Sequence, residues 1–309
     1  MQMKEVLVVY YSQTGQLRTI IDSVLSPLEQ ESVTITYHQI IPAEPYTFPW
    51  KKERFFDVFP ESFLQIPTAI NTPDASVLNK KYDLVILGHQ VWYLTPSIPL
   101  NSFLKSEAAK TLLKDTPVIT VIGVRNMWAM SQEKVKKMLI GLNAKLVGNI
   151  ALVDNNPNHV SVITIVHWML KGKKDRMWGI FPKPGVSDNS IASADKFGYP
   201  INEALLASDF SSLQEKLNDL DASKISNLLV QMDKRGNMLF AKWANLIKKK
   251  GDQGDPARKK WLRLFNYYLI FAIWIIAPIV FIVFLLTYIP MYRKIQRENK
   301  YYASVAYKE

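Results

Sequence analysis

The chain has 309 residues, a net charge of +11 and no cysteine. Without cysteine it has no disulfides and no thiolate metal ligands, so its redox chemistry would need a bound cofactor. The histidines His38, His89, His159 and His167 are scattered, and none pairs with another at i, i+4, so we predict no metal. The excess of lysine and arginine favours an anionic partner, either nucleic acid or anionic lipid.

The first predicted elements are a buried strand at Glu5–Tyr11, a polar turn, and a helix from Leu17 to about Glu29. The turn, Ser12-Gln13-Thr14-Gly15-Gln16, offers two hydroxyls and free backbone N–H groups at a helix N-terminus, which suits a phosphate. It lacks the GxxxxGK[ST] and GxGxxG motifs and contains no lysine, so it predicts a monophosphate ligand. An ordinary strand–helix turn is the alternative.

Four more strands are predicted, at Val33–Ile40, Tyr82–Gly88, Pro117–Gly123 and Lys145–Val153. Helices are expected from about Leu100 and from an N-cap at Ser131 to about Leu142. Strands that alternate with helices predict an α/β fold with a doubly wound, five-stranded parallel sheet. The aromatic-rich segment Pro42–Ile70 has no clear period, and we interpret it as an elaboration near the active site.

The chain divides into a core at 1–157, a helical or irregular extension packed on it at 158–250, a basic linker at 251–260, and a membrane anchor with a short tail at 261–309. In the extension, the apolar segment Ser161–Leu170 is too short to span a membrane. Helices are predicted at about Asn202–Leu217 and Ile225–Ile247. The N-terminus does not have the pattern of a signal peptide.

The second strong signal is the segment Leu264–Tyr292, which contains no charged residue. As a helix it would be about 43 Å long, enough for a bilayer. Aromatic residues lie at both ends, and lysine and arginine are denser before it than after it, which favours an N-terminus inside. No nucleic-acid-binding motif is present. We therefore predict a single-pass protein of the cytoplasmic membrane with its globular part in the cytosol. Pro278 either kinks a full span or turns a re-entrant segment.

In an open α/β sheet, ligands bind beyond the carboxyl ends of the strands. The loop after strand three carries Gln90, Val91, Trp92 and Tyr93. Strand four ends at Gly123, and the loop after it carries Arg125, Asn126 and Trp128. With the first turn and Leu17, these residues predict a flavin site, because indole and phenol faces suit an isoalloxazine ring. Arg125 and Trp128 are the candidate catalytic residues, since a cation near the ring stabilises reduced flavin. Alternatively, the tryptophans are core residues and Arg125 forms a surface ion pair.

The segment VLVVYYSQTGQL (6–17) is similar to the phosphate loop of flavodoxin-like FMN proteins. Further stretches resemble the flavodoxin-like enzyme of bacterial dialkylresorcinol and flexirubin-type pigment biosynthesis, often labelled dialkylresorcinol condensing enzyme. These stretches are GHQVWYLTPSIPLNSFLK (88–105), IGVRNMWAMSQE (122–133), KLVGNIALVD (145–154), VHWMLKGKKDR (166–176) and GIFPKPGVSDNSI (179–191). The resemblance implies FMN and a ketosynthase partner that joins two acyl chains into a cyclohexanedione. The flavoprotein would then oxidise this apolar dialkyl ring to a resorcinol.

The label "condensing" does not fit the residues, because the chain has no cysteine nucleophile and no GxSxG elbow. Other functions stay open: a membrane-bound quinone- or porphyrinogen-linked flavin oxidoreductase, a tethered electron-transfer flavodoxin, or a non-enzymatic scaffold. The basic turn Lys171–Arg176 is either a lipid-facing patch or a site for the 2′-phosphate of NADPH, which makes NAD(P)H a possible second cofactor.

Overall fold

A computed structural model describes residues 3–28 and 31–307. Its five parallel strands have the order β2-β1-β3-β5-β6, and a short strand, β4, pairs antiparallel with the end of β3. The strands are β1 (Lys4–Tyr10), β2 (Val33–Gln39), β3 (Leu84–Trp92), β4 (Thr95–Pro96), β5 (Pro117–Val124) and β6 (Lys145–Val153). Without β4, this is the 2-1-3-4-5 order of flavodoxin-like folds. The predicted doubly wound sheet is confirmed.

Helices cover both faces of the sheet, as the apolar strands require: Val6–Val9 of β1 are fully buried. One face is covered by α1 (Gln16–Leu25), α9 (Asp188–Ala192), α10 (Gly198–Ala207) and α11 (Leu213–Asp219). The other is covered by α4 (Ala75–Leu78), α5 (Ile98–Leu104), α6 (Glu107–Leu113) and α7 (Ala129–Gly141). The predicted extension therefore contributes to the first layer of the core.

The remaining helices surround the carboxyl ends of the strands. They are α2 (Lys52–Asp57) and α3 (Phe59–Phe63) in the aromatic-rich segment, α8 (Asn158–Lys171), α12 (Asn227–Lys248), α13 (Lys259–Phe271) and α14 (Ala277–Tyr302). A π-helical turn, Ala272–Ile276, joins α13 to α14. The helix predicted at about Asn202–Leu217 is two helices, because Ser208 adopts a left-handed conformation (φ 55°) and ends α10.

Several predicted boundaries are corrected by backbone geometry. Strand three continues to Trp92, since Tyr93 and Leu94 have positive φ (52° and 64°) and form a two-residue hairpin that returns to β4. Ser131 lies inside α7, whose N-cap position is Trp128. The first helix ends at Leu25, and its predicted end near Glu29 lies outside the described residues.

In the described part of the chain, the continuous helical segment Pro256–Tyr302 is long and apolar enough to cross a membrane by length and composition. Only 6% of its most apolar window is buried inside the protein. This low burial distinguishes the segment from the core helix of a soluble protein, which has the same composition but is covered by its neighbours.

Both ends of this helical segment contact α12. Phe265 packs on Trp243 (ring centroids 5.8 Å apart), and Glu298 pairs with Lys234 (2.8 Å). Trp243 and Lys234 are about 14 Å apart along α12, whereas a straight helix would separate Phe265 from Glu298 by about 50 Å. The apolar segment is therefore bent. The π-helical turn and the prolines Pro278 and Pro290 are the features that bend helices.

The predicted basic linker at 251–260 is held against the domain. Arg258 has no exposed surface and forms ion pairs with Asp57 (2.7 Å) and Glu61 (2.8 Å), which lie in α2 and α3. Lys259 and Lys260, the next residues, are exposed. The basic run thus contains one buried structural arginine beside exposed cations.

Candidate functional site

The turn from Tyr11 to Gly15 connects β1 to α1 at the carboxyl edge of the sheet. Gly15 is left-handed (φ 82°) at the N-cap position, and no side chain among the described residues caps the helix. The Ser12 hydroxyl is buried without a hydrogen-bond partner in the described chain, and the Thr14 hydroxyl accepts only a long bond (3.4 Å) from the Gln16 N–H. An uncapped helix N-terminus beside an unpaired buried hydroxyl fits a phosphate monoester.

Gln16 fixes a second loop beside this turn. Its carboxamide donates to the Val186 carbonyl (3.0 Å) and accepts from the Val186 N–H (3.1 Å). The neighbouring Gly185 has φ 79°, and a Cβ there would lie 2.7 Å from the Trp168 ring. A side chain at position 185 would be strained and would meet that ring, so glycine suits the position. Gln16, predicted to bind the cofactor, therefore also positions the loop beside the turn.

Gln13 connects the turn to the aromatic-rich segment. Its side-chain oxygen accepts from the Trp50 indole N–H (3.0 Å), and its backbone N–H donates to the Gln90 side chain (3.4 Å). Trp92 is buried in the same region, with ring centroids 5.1 Å from Tyr46 and 5.4 Å from Trp50. The aromatic-rich segment therefore covers the end of β3.

Tyr93 lies at the tip of the β3–β4 hairpin. Its hydroxyl donates to the Phe55 carbonyl, and its ring packs against Phe55 and Phe59. Burial raises the pKa of Tyr93 well above its ordinary value, so the phenol stays neutral. It orders α2 and α3 over the site.

Arg125 and Asn126 follow β5, and α8 holds them both. The Arg125 guanidinium and the Asn126 amide each donate to the side-chain oxygen of Asn158 (2.8 and 2.7 Å). Desolvation lowers the pKa of Arg125 to about 10, so it is still a cation at neutral pH. The Asn126 side-chain oxygen is buried with no partner among the described residues. A desolvated cation suits negative charge on a ligand, and an unpaired carbonyl oxygen suits an N–H donor, so together they fit a ligand edge that carries both.

Trp128 belongs to a buried cluster beside β5 and β6. It is 4% exposed and packs against Ile122, Val124 and Ala151. Met127 has positive φ (48°), and the chain turns there into α7. The indole, a predicted catalytic group, is thus part of a buried cluster and is not among the residues that line the cavity described below.

The polar groups described above, other than Trp128, lie around a cavity of about 760 Å³. This volume is within the usual range for cofactor sites. Most predicted site residues line the cavity: Gln13, Thr14, Gln16, Leu17, Gln90, Val91, Trp92, Tyr93, Gly123, Arg125 and Asn126. Ser12 and Gly15 belong to the turn at its edge. The opposite wall is apolar and comes from α8, α12 and the bent helical segment. The described residues contain no cluster of three metal-ligating side chains.

The sequence interpretation missed the parts of the site that come from far along the chain. Asn158 and Trp168 lie on α8, whose apolar pattern indicates a helix but not its neighbours. Ile273 and Ala277 line the cavity from a segment that was predicted to lie in a membrane. Of the basic turn Lys171–Arg176, Lys174 pairs with Asp188 (2.9 Å), a contact that opposes a phosphate-binding role.

No family model and no curated protein matches the chain. Solved structures with a similar fold include a protein from Bacteroides eggerthii described as a candidate flavoprotein, which is 20% identical over 52% of this chain and 96% of its own (TM-score 0.38). A flavoprotein from Lactobacillus acidophilus, solved with FMN, is 15% identical over 48% and 93% (TM-score 0.39). A flavodoxin from the domain Archaea is 10% identical over 65% and 99% (TM-score 0.33). The strand order itself places the chain among flavodoxin-like folds.

Proposed function

We propose that the chain is a membrane-associated, FMN-dependent oxidoreductase that oxidises a dialkylcyclohexanedione to a dialkylresorcinol. One observation carries the proposal: a single cavity runs from an uncapped helix N-terminus to an apolar wall formed by the bent helical segment. The polar end suits a phosphate and the apolar end suits a lipid-soluble ring. The two ligands would therefore meet within the domain.

The residues present fit FMN. The turn Ser12–Gly15 would hold the phosphate, and Gln90, Arg125 and Asn126 would contact the polar edge of the ring. Bound FMN would supply a two-electron acceptor for the substrate. Arg125 keeps its charge and would stabilise the anionic reduced cofactor. FMN is the only cofactor we propose, because Lys174 of the basic turn already has a carboxylate partner.

Aromatisation of the dione removes a hydride and a proton from the ring, so it needs the two-electron acceptor that bound FMN would supply and a proton acceptor such as water. The apolar part of the cavity wall comes from three helical elements and includes Val162 of α8, Met232 of α12 and Ile273 of the π-helical turn. A ketosynthase that joins two acyl chains into the dione is the class of enzyme that would supply this substrate.

Anaerobic mixing tests the reaction. The full chain loaded with FMN is expected to lose its yellow absorbance when a dialkylcyclohexane-1,3-dione is added, and the resorcinol should form in equal amount. If the dione leaves the absorbance unchanged while a quinol or a porphyrinogen bleaches it, the chain is a flavin oxidoreductase with a different substrate, and the aromatase proposal is wrong.

Replacing Arg125 with methionine is expected to leave FMN bound but to lower the flavin reduction potential and slow substrate oxidation by about 10- to 100-fold. The reason is the lost charge-assisted contact, worth about 1.5–3 kcal/mol. Spectroelectrochemistry and single-turnover bleaching measure the two effects. Trp128→Leu, in the same loop but outside the cavity lining, is the matched control and should change stability without changing the potential. An unaltered potential in Arg125→Met would show that the guanidinium is only structural.

A further inference from the structure

The bent helical segment presents a long apolar face to the outside of the protein. Large side chains are exposed along it from Leu264 to Tyr292, and the most exposed are Leu286 (76%) and Ile289 (83%). Exposed cations stand at both ends of this face: Lys259, Lys260 and Arg263 before it, and Arg293, Lys294 and Arg297 after it. An apolar face with basic ends is complementary to a bilayer surface that contains anionic lipid.

The two basic ends lie on the same domain. Arg258, just before the face, is held by Asp57 and Glu61. After it, Tyr301 donates to Glu133 of α7 (2.6 Å), and the Ala306 carbonyl accepts from Lys136 (3.0 Å). A helix that crossed the membrane would place the second end on the opposite side from the domain and break these contacts.

The cavity opens onto this same apolar face. Four large side chains both line the cavity and are exposed at the surface: Val166 of α8, Leu239 of α12, Ile270 of α13 and Trp274 of the π-helical turn. They form an apolar rim. A rim of this kind would sit poorly in water but fits against lipid acyl chains.

We propose that the segment enters one leaflet of an anionic bilayer and returns, so that both of its ends stay on the side of the domain and the cavity rim faces the acyl chains. This is the re-entrant alternative that the sequence left open at Pro278, and it differs from the single-pass span. A second copy of the chain is a less suitable cover, because a symmetric pair brings cationic ends near one another. Entry of a lipid-soluble ring from the bilayer into the cavity rests on the proposed function. The position of the helical segment in the bilayer does not.

The absence of native cysteine makes accessibility labelling direct. Three variants of the full chain each carry one cysteine: Lys259→Cys, Lys300→Cys, and Glu107→Cys as a reference position in the domain. Each protein is added to the outside of sealed phosphatidylcholine–phosphatidylglycerol vesicles. A membrane-impermeant maleimide is expected to label all three within two-fold of one another. If Lys300→Cys is labelled at least ten-fold less until detergent opens the vesicles, the segment crosses and the proposal is wrong.

The depth to which the segment enters the bilayer is measured at the cavity rim and along the exposed apolar face. A fluorophore on Ile270→Cys or Ile289→Cys should be quenched several-fold by lipids with nitroxides on their acyl chains, while one on Tyr199→Cys, an exposed position on α10, should not. Absence of quenching at both positions, or a dimer that hides them equally without lipid, would overturn the proposal.

A pair of charged substitutions on the apolar face tests whether this face is needed for membrane binding. Leu286→Glu with Ile289→Glu is expected to lower the vesicle-bound fraction at least ten-fold, whereas Ile41→Glu with Ile140→Glu, also at exposed positions, should not. Unchanged binding in the first pair would contradict the proposed insertion. Because FMN uptake is recorded in every variant, a chain that never takes up FMN would refute the flavin proposal separately from the membrane geometry.

Discussion

Replacing Gly15 with valine is expected to weaken FMN binding by about 10- to 100-fold while the sheet stays folded. Gly15 has φ 82° at the start of α1, and a β-branched residue rarely adopts that conformation. The turn would have to rearrange and move the helix N–H groups and the Ser12 hydroxyl away from the phosphate. Each charge-assisted hydrogen bond lost in this way is worth about 1.5–3 kcal/mol. Fluorescence titration of the full chain with FMN measures the change.

Gly179→Val is the matched control for this substitution. Gly179 also has a positive φ (73°), and in both glycines a Cβ would meet no atom within 4 Å among the described residues. Gly179 does not line the cavity. The two variants therefore carry similar backbone strain, and only Gly15→Val should lose affinity. An equal loss in both, or none in either, would place the phosphate elsewhere.

Replacing Arg258 with methionine is expected to lower the free energy of unfolding by about 3–5 kcal/mol. Arg258 is fully buried, and Glu61 is nearly so, so the substitution leaves carboxylates in a site with little water. Lys248 approaches Glu61 at 3.3 Å and would compensate part of the charge. Denaturant unfolding, followed by tryptophan fluorescence, measures the loss.

Two further variants test whether the loss of stability comes from the buried ion pairs. Lys259→Met changes the exposed neighbouring cation and should shift stability by less than about 0.5 kcal/mol. Adding Asp57→Asn and Glu61→Gln to Arg258→Met should recover part of the loss, because it removes the uncompensated charges. If Lys259→Met is as destabilising as Arg258→Met, overall charge matters and the buried pairing does not.

The sheet could be predicted from the sequence because its strands are buried on both faces. That burial requires short, continuous apolar runs, and Lys145–Val153 was predicted with the same limits as β6. The residues at the sheet end of the cavity could also be predicted, because the loops that follow parallel strands lie at the same edge of the sheet. Gln90, Arg125 and Thr14 accordingly line the same cavity.

The rest depends on contacts that local pattern does not contain. Arg258 lies in a basic run typical of a membrane flank, yet its carboxylate partners are about 200 residues away along the chain. The hairpin after β3 needs positive φ at Tyr93 and Leu94, neither of which is a typical residue for that conformation. Hydropathy likewise predicts a long apolar helix but not that Phe265 and Glu298 both reach α12.

Titration of the purified full chain with FMN tests the flavin site most directly. After removal of any bound flavin, the chain in detergent is expected to quench FMN fluorescence with saturation at one equivalent. Heat denaturation of the saturated chain should then release FMN. A folded chain that takes up no FMN at any concentration in the titration would contradict the proposed flavin site and, with it, the oxidoreductase function.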